Sequence, residues 1–495
     1  MRVFGLSGSG FDIDQMVKDL MKGHRVSYDK LWQKKTQLEY KKTDYNDMYT
    51  TLRDFRNTTV FNYGLVGTLM PKTTSSTAEN IVSATANSDA ANISHTIKVT
   101  QLAEAANLTS SAGITIGASK DTLKEQFNLM VDTPFEVIIT NGSTSKPITV
   151  DPNKSINDFV SSINNAGLGI KANYDATLDR FFMSTTGSGV NVGINFLNTV
   201  GADGINFINS LKLTNAVTGT NVATGKDAIF DLDGVTNLTQ ASNNFTISGV
   251  TYNLKAEGSA NIAVAADNNK SIETVKTFID SYNAILEKIN GELKEEKYSD
   301  YMPLTSDQKK EMKESEIIEW EKRAKSGMLH RDSILQDAVY KLRSDISTPI
   351  SGLTGEYNTL SSIGVTTGLY SEGGKLHLDE TKLRKALEND PDVLSKIFKT
   401  SSDVRANQGV AVRMYDTLKT TLDKIVAAGG ASSTITADNS STLAKQIISY
   451  NRSLDTMNNR LNDIEKRYYK QFSAMETALS KMSQQSSWIA QQFGG

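Results

Sequence analysis

The C-terminal run from Thr442 to Gln492 constrains this chain more than any other stretch. Its apolar side chains fall at alternating steps of three and four: Ile447, Tyr450, Leu454, Met457, Leu461, Ile464 and Tyr468. A single step of four to Phe472 interrupts the rhythm, which resumes through Met475, Leu479 and Met482 and, past Ser486, reaches Ile489. Alternating steps of three and four build a heptad seam of a and d positions, and an extra four is a stutter that locally unwinds a supercoil. No proline or glycine interrupts the run. The pattern therefore predicts one helix of roughly 75 Å at 1.5 Å per residue. Helices of a compact domain usually run roughly 8 to 20 residues, so a helix this long needs partners along its length.

A matching stripe lies near the other end of the chain. Tyr28, Leu31, Leu38, Tyr45 and Leu52 share one helix face with Met48 and Phe55. Ser27 is the expected N-cap, with Asp29 in the first turn, where a carboxylate favours the helix dipole. A shorter amphipathic segment, Phe11, Ile13, Met16, Val17, Leu20 and Met21, precedes it and opens on the loose capping box Asp12-x-x-Gln15. The chain thus begins and ends in long helices of coiled-coil character. Paired, they are expected to run antiparallel, because the chain must leave and return. Their stripes have no evident partner in the middle of the chain, so the ends are expected to be poorly ordered in the free subunit.

The 495 residues are enough for two to four domains and a sizeable core. A net charge of -3 leaves no nucleic-acid footprint. Cysteine is absent, which removes disulfides, thiolate chemistry and Cys-ligated metals together. No apolar run approaches the length of a membrane span, and Met1 to Gly10 lacks the regions of a signal peptide.

The first helical region closes near Tyr63-Gly64, and Gly67, Pro71 and the polar run Thr73 to Thr77 read as a linker. From Ala78 to about Asp267 the chain is less charged and rich in Thr, Ser, Asn and Gly. Short alternating runs recur there: His95 to Val99, Phe135 to Ile139, Phe245 to Ile247 and Val250 to Tyr252. Asn141-Gly142 reads as a hairpin turn, and Ser155 to Asn165 as one helical insert. Helical periodicity returns from Ser271 to Ile289. The charged Lys309 to Lys325 follows as a helix, with Ile317, Ile318 and Trp320 expected to pack inward. Further helices are expected over Ser333 to Asp345, Glu380 to Glu388 and Val410 to Ala427. A Gly-punctuated hairpin lies within Pro349 to Leu378, and Gly429-Gly430 is a stop.

The fold class expected is an α+β multidomain chain. Long terminal helices form an antiparallel coiled-coil stalk, a helical domain lies at the centre, and a β-rich head has two modules. The expected bounds are 1-46 with 441-495 for the stalk and 47-77 with 270-440 for the helical centre and its β hairpin. The inner head module takes 78-112 with 226-269, and the outer one 113-225.

The opening Gly5-Leu6-Ser7-Gly8-Ser9-Gly10-Phe11-Asp12-Ile13-Asp14 resembles that of the flagellar filament cap family, flagellar hook-associated protein 2. Ser362-Ile363-Gly364-Val365-Thr366-Thr367-Gly368, continuing through Gly374 to Glu380 and Leu383 to Phe398, is similar to that family's C-terminal signature. Val99 to Ala103 and Gly249 to Thr251 also look similar, and Tyr301 to Gly327 resembles versions of the family from Gram-positive bacteria. The resemblance implies a secreted protein, exported unfolded through the flagellar channel. It implies a ring-like homo-oligomer at the distal filament tip that retains flagellin and promotes its polymerisation. It also implies hook-filament junction proteins and an export chaperone as partners, with no nucleic acid, membrane or cofactor.

Chemistry offers no competing reading. His24, His95, His330 and His377 are scattered, and no metal ligands have the right spacing. Asp231-x-Asp233-Gly234 lacks the remaining ligands of a calcium loop and reads as a turn with a capping Asp. Gly5 to Gly10 lacks the Lys-Ser/Thr of a phosphate loop. No paired carboxylates or nucleophile and base point to a hydrolase. The alternative in a different class is a tip adhesin that grips host or surface ligands through the β-rich head. The two readings differ in location: capping needs the terminal stripes, adhesion only the head.

Overall fold

The computed structural model describes residues 12–116, 121–215, 218–432 and 438–493. The glycine-rich opening through Phe11, which carries part of the family resemblance, lies outside them. Contacts divide the chain into two units, Met1–Leu69 with Asn268–Gly495, and Met70–Asp267.

The first unit is helical and begins with α1 (Ile13–Asp54), 42 residues without a break. Asp12 caps it, its side chain accepting from the Gln15 backbone N–H at 2.9 Å. Two expectations are corrected here: Ser27 is not an N-cap, and the short segment before it is not a separate helix. Gly23 sits in the helix with nothing near its Cβ position, and one glycine costs too little to break a helix this long. A single π-helical stretch, Phe55–Val60, prolongs α1 into a 3-10 turn at Asn62–Gly64 and then α2 (Val66–Leu69).

The second unit is β-rich and holds two separate cores. Its inner part takes β1 (Lys72–Ser76), β2 (Val82–Ala86) and β3 (Ser94–Gln101) from the outgoing chain. Between them and the returning strands lie β4 (Asn107–Ser110), α3 (Leu123–Phe127), β5 (Phe135–Asn141), β6 (Thr144–Val150), α4 (Ile156–Asn165), β7 (Ile170–Asp175) and β8 (Arg180–Thr185). Then come β9 (Gly193–Asn195), α5 (Ala202–Ser210), β10 (Leu213–Asn215), β11 (Gly219–Thr220) and β12 (Val222–Thr224). The return is β13 (Ala228–Leu232), β14 (Val235–Gln240), β15 (Asn244–Ile247), β16 (Val250–Leu254) and β17 (Gly258–Ala266).

The inner sheets run β1-β17-β3-β13-β14 and β15-β16-β2, and the outer ones β11-β10-β4-β8-β7 and β12-β9-β5-β6. The run Thr73 to Ser76, expected as linker, is the edge strand β1, antiparallel to β17 in the register Thr74↔Val264. Polar β-branched residues suit an edge that is only half buried, which is why the run carries no apolar signal. Phe230 stacks on Phe245 at 4.7 Å between ring centroids and anchors the inner core. The hairpin between β5 and β6 turns at Gly142 (φ +56°), a left-handed position that favours glycine in a two-residue loop.

The chain re-enters the helical unit as α6 (Asn268–Lys294). It continues through α7 (Ser306–Lys310), α8 (Glu314–Lys325), α9 (Ser333–Ser347) and the hairpin β18 (Val365–Thr367) with β19 (Leu376–Leu378). The last helices are α10 (Glu380–Asn389), α11 (Val393–Lys399), α12 (Val410–Gly429) and α13 (Thr442–Phe493). On α8, Trp320 is half-buried but Ile318 is 59% exposed, so the expected inward packing of Ile318 is corrected. Ile318 lies two residues from Trp320, roughly 200° around a helix of 3.6 residues per turn.

Candidate assembly surface on the terminal helices

α13 spans 52 residues and pairs antiparallel with α1: Asp14 meets Tyr469, whereas Lys42 meets Asp438, next to the start of α13. The seam has a small dry centre of Val17, Met21 and Leu461. Ile13, Tyr28, Met457, Ile464, Tyr468, Tyr469 and Phe472 pack around it half-buried. Polar pins flank that centre. Tyr469 donates to Asp14 Oδ1 at 2.9 Å, and His24 Nε2 lies 3.0 Å from the Tyr468 hydroxyl.

At the root of the pair Lys42 is 1% exposed, its ammonium bound to the Gly429 carbonyl at 2.8 Å and ion-paired to Asp438. Asp438 also accepts from the Ser440 and Ser441 backbone N–H groups, both at 3.1 Å, and from the Ser441 hydroxyl at 2.6 Å. The Ser441 hydroxyl in turn accepts from Ala444 N at 3.3 Å, which caps the first turn of α13. Burial works against the Asp438 charge, yet the Lys42 ammonium and these donors hold its carboxyl well below the usual carboxylate range. The ion pair thereby fixes where α13 starts relative to α1.

Tyr45 turns away from α13. Its hydroxyl donates to Asp332 Oδ2 at 2.5 Å, and Asp332 Oδ1 caps α9 by accepting from Ile334 N and Leu335 N. The ring lies against Gly429, where a Cβ would come within 2.6 Å of the tyrosine. Only glycine permits that approach of α12 to α1.

The stripe residues therefore have three fates. Tyr45, Leu52, Ile447, Leu454 and Leu461 are buried. Tyr28, Leu31, Leu38, Tyr450, Met457, Ile464, Tyr468, Phe472 and Leu479 are half-buried. Met475, Met482 and Ile489 are exposed, as is Trp488 at 60%, because α13 runs on past the point where it meets the first described turn of α1. The expectation that both ends lack partners is thus corrected for their proximal parts, since Tyr45, Met48, Leu52, Leu443 and Ile447 are all buried.

Val17, Met21, His24 and Lys42 were not read as seam positions. Counting back from Tyr28 in steps of four and three reaches His24, Met21 and Val17, and counting forward from Leu38 reaches Lys42. The register was present in the sequence, interrupted by polar residues that find partners only in three dimensions. A polar side chain at a seam position fixes register at some cost in stability.

Among the described residues no group of three or more His, Asp or Glu side chains is placed to hold a metal. Nor, among the described residues, is any helix long and apolar enough to cross a membrane. The groove of about 240 Å³ between α9 and α12 contains the buried Asp345. One of its oxygens is taken by Arg405 Nη2 and the other by the Thr417 hydroxyl, both at 2.6 Å. That carboxylate ties α9 to α12, with no histidine among the lining residues.

A family model described as Flagellar hook-associated protein 2 C-terminus matches residues 225–484, and one described as its N-terminus matches 9–106. A flagellar hook-associated protein 2 of Halalkalibacterium halodurans is 31% identical over 537 residues, covering 100% of both chains. The protein of that name from Escherichia coli K12 is 23% identical over 98% of this chain and 97% of its own. The crystal structure of the flagellar cap protein FliD D1-D2-D3 domains from Escherichia coli is similar in fold, with a TM-score of 0.55 at 19% identity. It covers 78% of this chain and 96% of that one.

Proposed function

The chain belongs to the flagellar hook-associated protein 2 family, and from that premise we propose that it caps the distal tip of the flagellar filament. It does so as a structural protein and not as an enzyme. It acts there as a ring-like homo-oligomer that retains exported flagellin and promotes its polymerisation. It is secreted unfolded through the flagellar channel with an export chaperone and meets the hook-filament junction proteins on its way to the tip. The relatives named by sequence and by fold are hook-associated and cap proteins, which supports capping over adhesion through the β-rich unit.

The observation that carries the mechanism is the open end of α13. A subunit that must sit on a helical tube needs apolar surface that it does not satisfy itself, and Met475, Met482, Trp488 and Ile489 supply it. We assign the anchoring stalk to 1-46 with 441-495 and the helical centre to 47-69 with 268-440, the expected bound at 77 moving back because Lys72–Ser76 is a strand of the β-rich unit. The inner module is then 70-105 with 226-267 and the outer module 106-225, the expected bound at 112 moving back because β4 pairs in the outer sheet.

The test is complementation of a cap-deficient strain with the full chain and with the chain carrying Met482→Asp and Ile489→Asp. The native chain is expected to restore filaments, and the variant to leak flagellin monomer into the medium. Equal filament yield from both would remove the α13 end from the mechanism. A host or surface ligand for the β-rich unit would be favoured instead if filaments persist but surface attachment is lost on deletion of 113-225.

A further inference from the structure

Between α6 and α9 the chain makes an excursion whose two ends meet. The Gly327 N–H donates to Glu295 Oε2 at 2.7 Å and the Ser326 hydroxyl to the Glu296 carbonyl at 2.6 Å. At Gly327 (φ +67°) a Cβ would come within 2.7 Å of that carbonyl and of Lys297 N. The residues between, Tyr298 to Ser326, form a closed loop with its own interior. Tyr301 and Trp320 rings lie 4.7 Å apart, the Arg323 guanidinium covers Tyr301 at 4.9 Å, and Trp320 Nε1 donates to the Met302 carbonyl at 2.7 Å. Leu304 and Ala324 are buried.

This loop holds one flank of α1. Gln33 Nε2 donates to the Pro303 carbonyl at 2.9 Å, Gln37 Nε2 reaches Met302 Sδ at 3.2 Å, and the Tyr40 hydroxyl donates to Glu321 Oε2 at 2.9 Å. Glu321 is itself fixed by Leu304 N at 3.2 Å and Lys309 at 3.0 Å, and the Lys325 ammonium lies over the Tyr40 ring at 5.3 Å. Positions 33, 37 and 40 share one helix face by their spacing. Gln33 and Tyr40 lie two residues on from the stripe positions Leu31 and Leu38, roughly 200° around a helix of 3.6 residues per turn. The loop therefore grips the side of α1 turned away from the seam.

We propose that Tyr298 to Ser326 is an intrachain strap that orders α1 from Tyr28 to Lys42 in the single subunit and closes that flank to other chains. The consequence for assembly is selective. New contacts are left to the distal end of α13 and to surfaces other than the Gln33, Gln37 and Tyr40 flank. The proposal concerns the subunit alone and stands or falls independently of capping.

The native chain has no cysteine, so Gln37→Cys gives a single thiol whose reaction with a maleimide reports whether the strap covers the flank. The full chain with Gln37→Cys is compared with the same chain carrying Trp320→Ala as well, and with one in which Tyr298 to Ser326 is replaced by a three-residue Gly-Ser-Gly link. Labelling is expected to speed up at least tenfold on excision and severalfold with Trp320→Ala. Amide exchange over 28–42 should rise in parallel, while exchange over 443–461 and in the β-rich unit stays constant. Equal labelling rates in all three chains overturn the proposal. If the excised chain does not fold, the Trp320→Ala pair decides alone, with unchanged labelling and unchanged exchange over 28–42 counting against the strap.

Discussion

The two halves of α13 carry the same heptad stripe and end differently. From Thr442 to Phe472 the stripe meets α1 and buries Ile447, Leu454 and Leu461. From Met475 to Ile489 the same spacing leaves Met475, Met482 and Ile489 in solvent. Periodicity states that a helix face wants a partner, but it does not say whether the partner lies in the same chain. The difference comes from length and register. Lys42 with Asp438 fixes the start of α13 against α1, and with Asp14 at Tyr469 the pairing reaches the first turn of α1 while about two dozen residues of α13 remain.

That contrast can be broken most forcefully by charge. Leu461→Asp with Ile464→Asp places two carboxylates in the seam and should cost several kcal/mol if they stay buried and ionised. Helicity by circular dichroism and the urea midpoint should both fall in the free subunit. Met482→Asp with Ile489→Asp uses the same chemistry more than twenty residues on and should change the stability by no more than about 0.5 kcal/mol, the usual size at exposed sites. Similar losses from the two pairs would erase the distinction between the halves.

The register pin is next in size. Lys42→Met leaves the half-buried Asp438 without its cation, and because that end of the pair keeps some solvent the loss should fall below the roughly 3–5 kcal/mol of a fully buried pair. Thermal unfolding should show the loss. Limited proteolysis should open the segment around Ser441 first, because Asp438 also holds the cap of α13. A chain as stable as the native one would show that the pin follows the pairing and does not set it.

A smaller effect sharpens the account of α1 itself. At Asp44, burial and then the carboxylates of Glu292, Glu295 and Asp47 push the carboxyl up to about 7, against the pull of Lys288. A folded acid with a raised pKa binds a proton that the unfolded chain has released, so stability should fall as pH rises from about 4 through about 7. Asp44→Asn removes that loss. Because the side chain is half-exposed and solvent screens it, the gain at pH 8 should be only about 1–2 kcal/mol, with none at pH 4. Melting curves at the two pH values check it, and an equal gain at both would assign the effect to something other than titration.

Much of this was legible in the residues. The bounds of α13 and α12, the strands around His95, Phe135 and Phe245, and the capped helix after Ser155 follow from local spacing and turn chemistry. What was not legible depends on partners far along the chain. Lys42 reads as a surface lysine until Asp438 is beside it, and Thr73 to Ser76 as a linker until β17 supplies its ladder; His24 is exposed, as its charged neighbours imply, and only its contact with Tyr468 was hidden. The strap was visible only as a charged helix, since its purpose lies in Gln33, Gln37 and Tyr40, some 265 to 281 residues earlier in the sequence.

The most direct test compares hydrogen exchange along α13 in the isolated full-length subunit and in the same protein assembled on filaments. Amides from 443 to 461 should exchange slowly in both states. Those from 475 to 489 should exchange fast in the isolated subunit and slow at least a hundredfold on assembly. Uniform protection along the whole helix in the isolated subunit, or a distal end that stays fast in the assembly, would contradict a preformed seam that ends in an open docking surface.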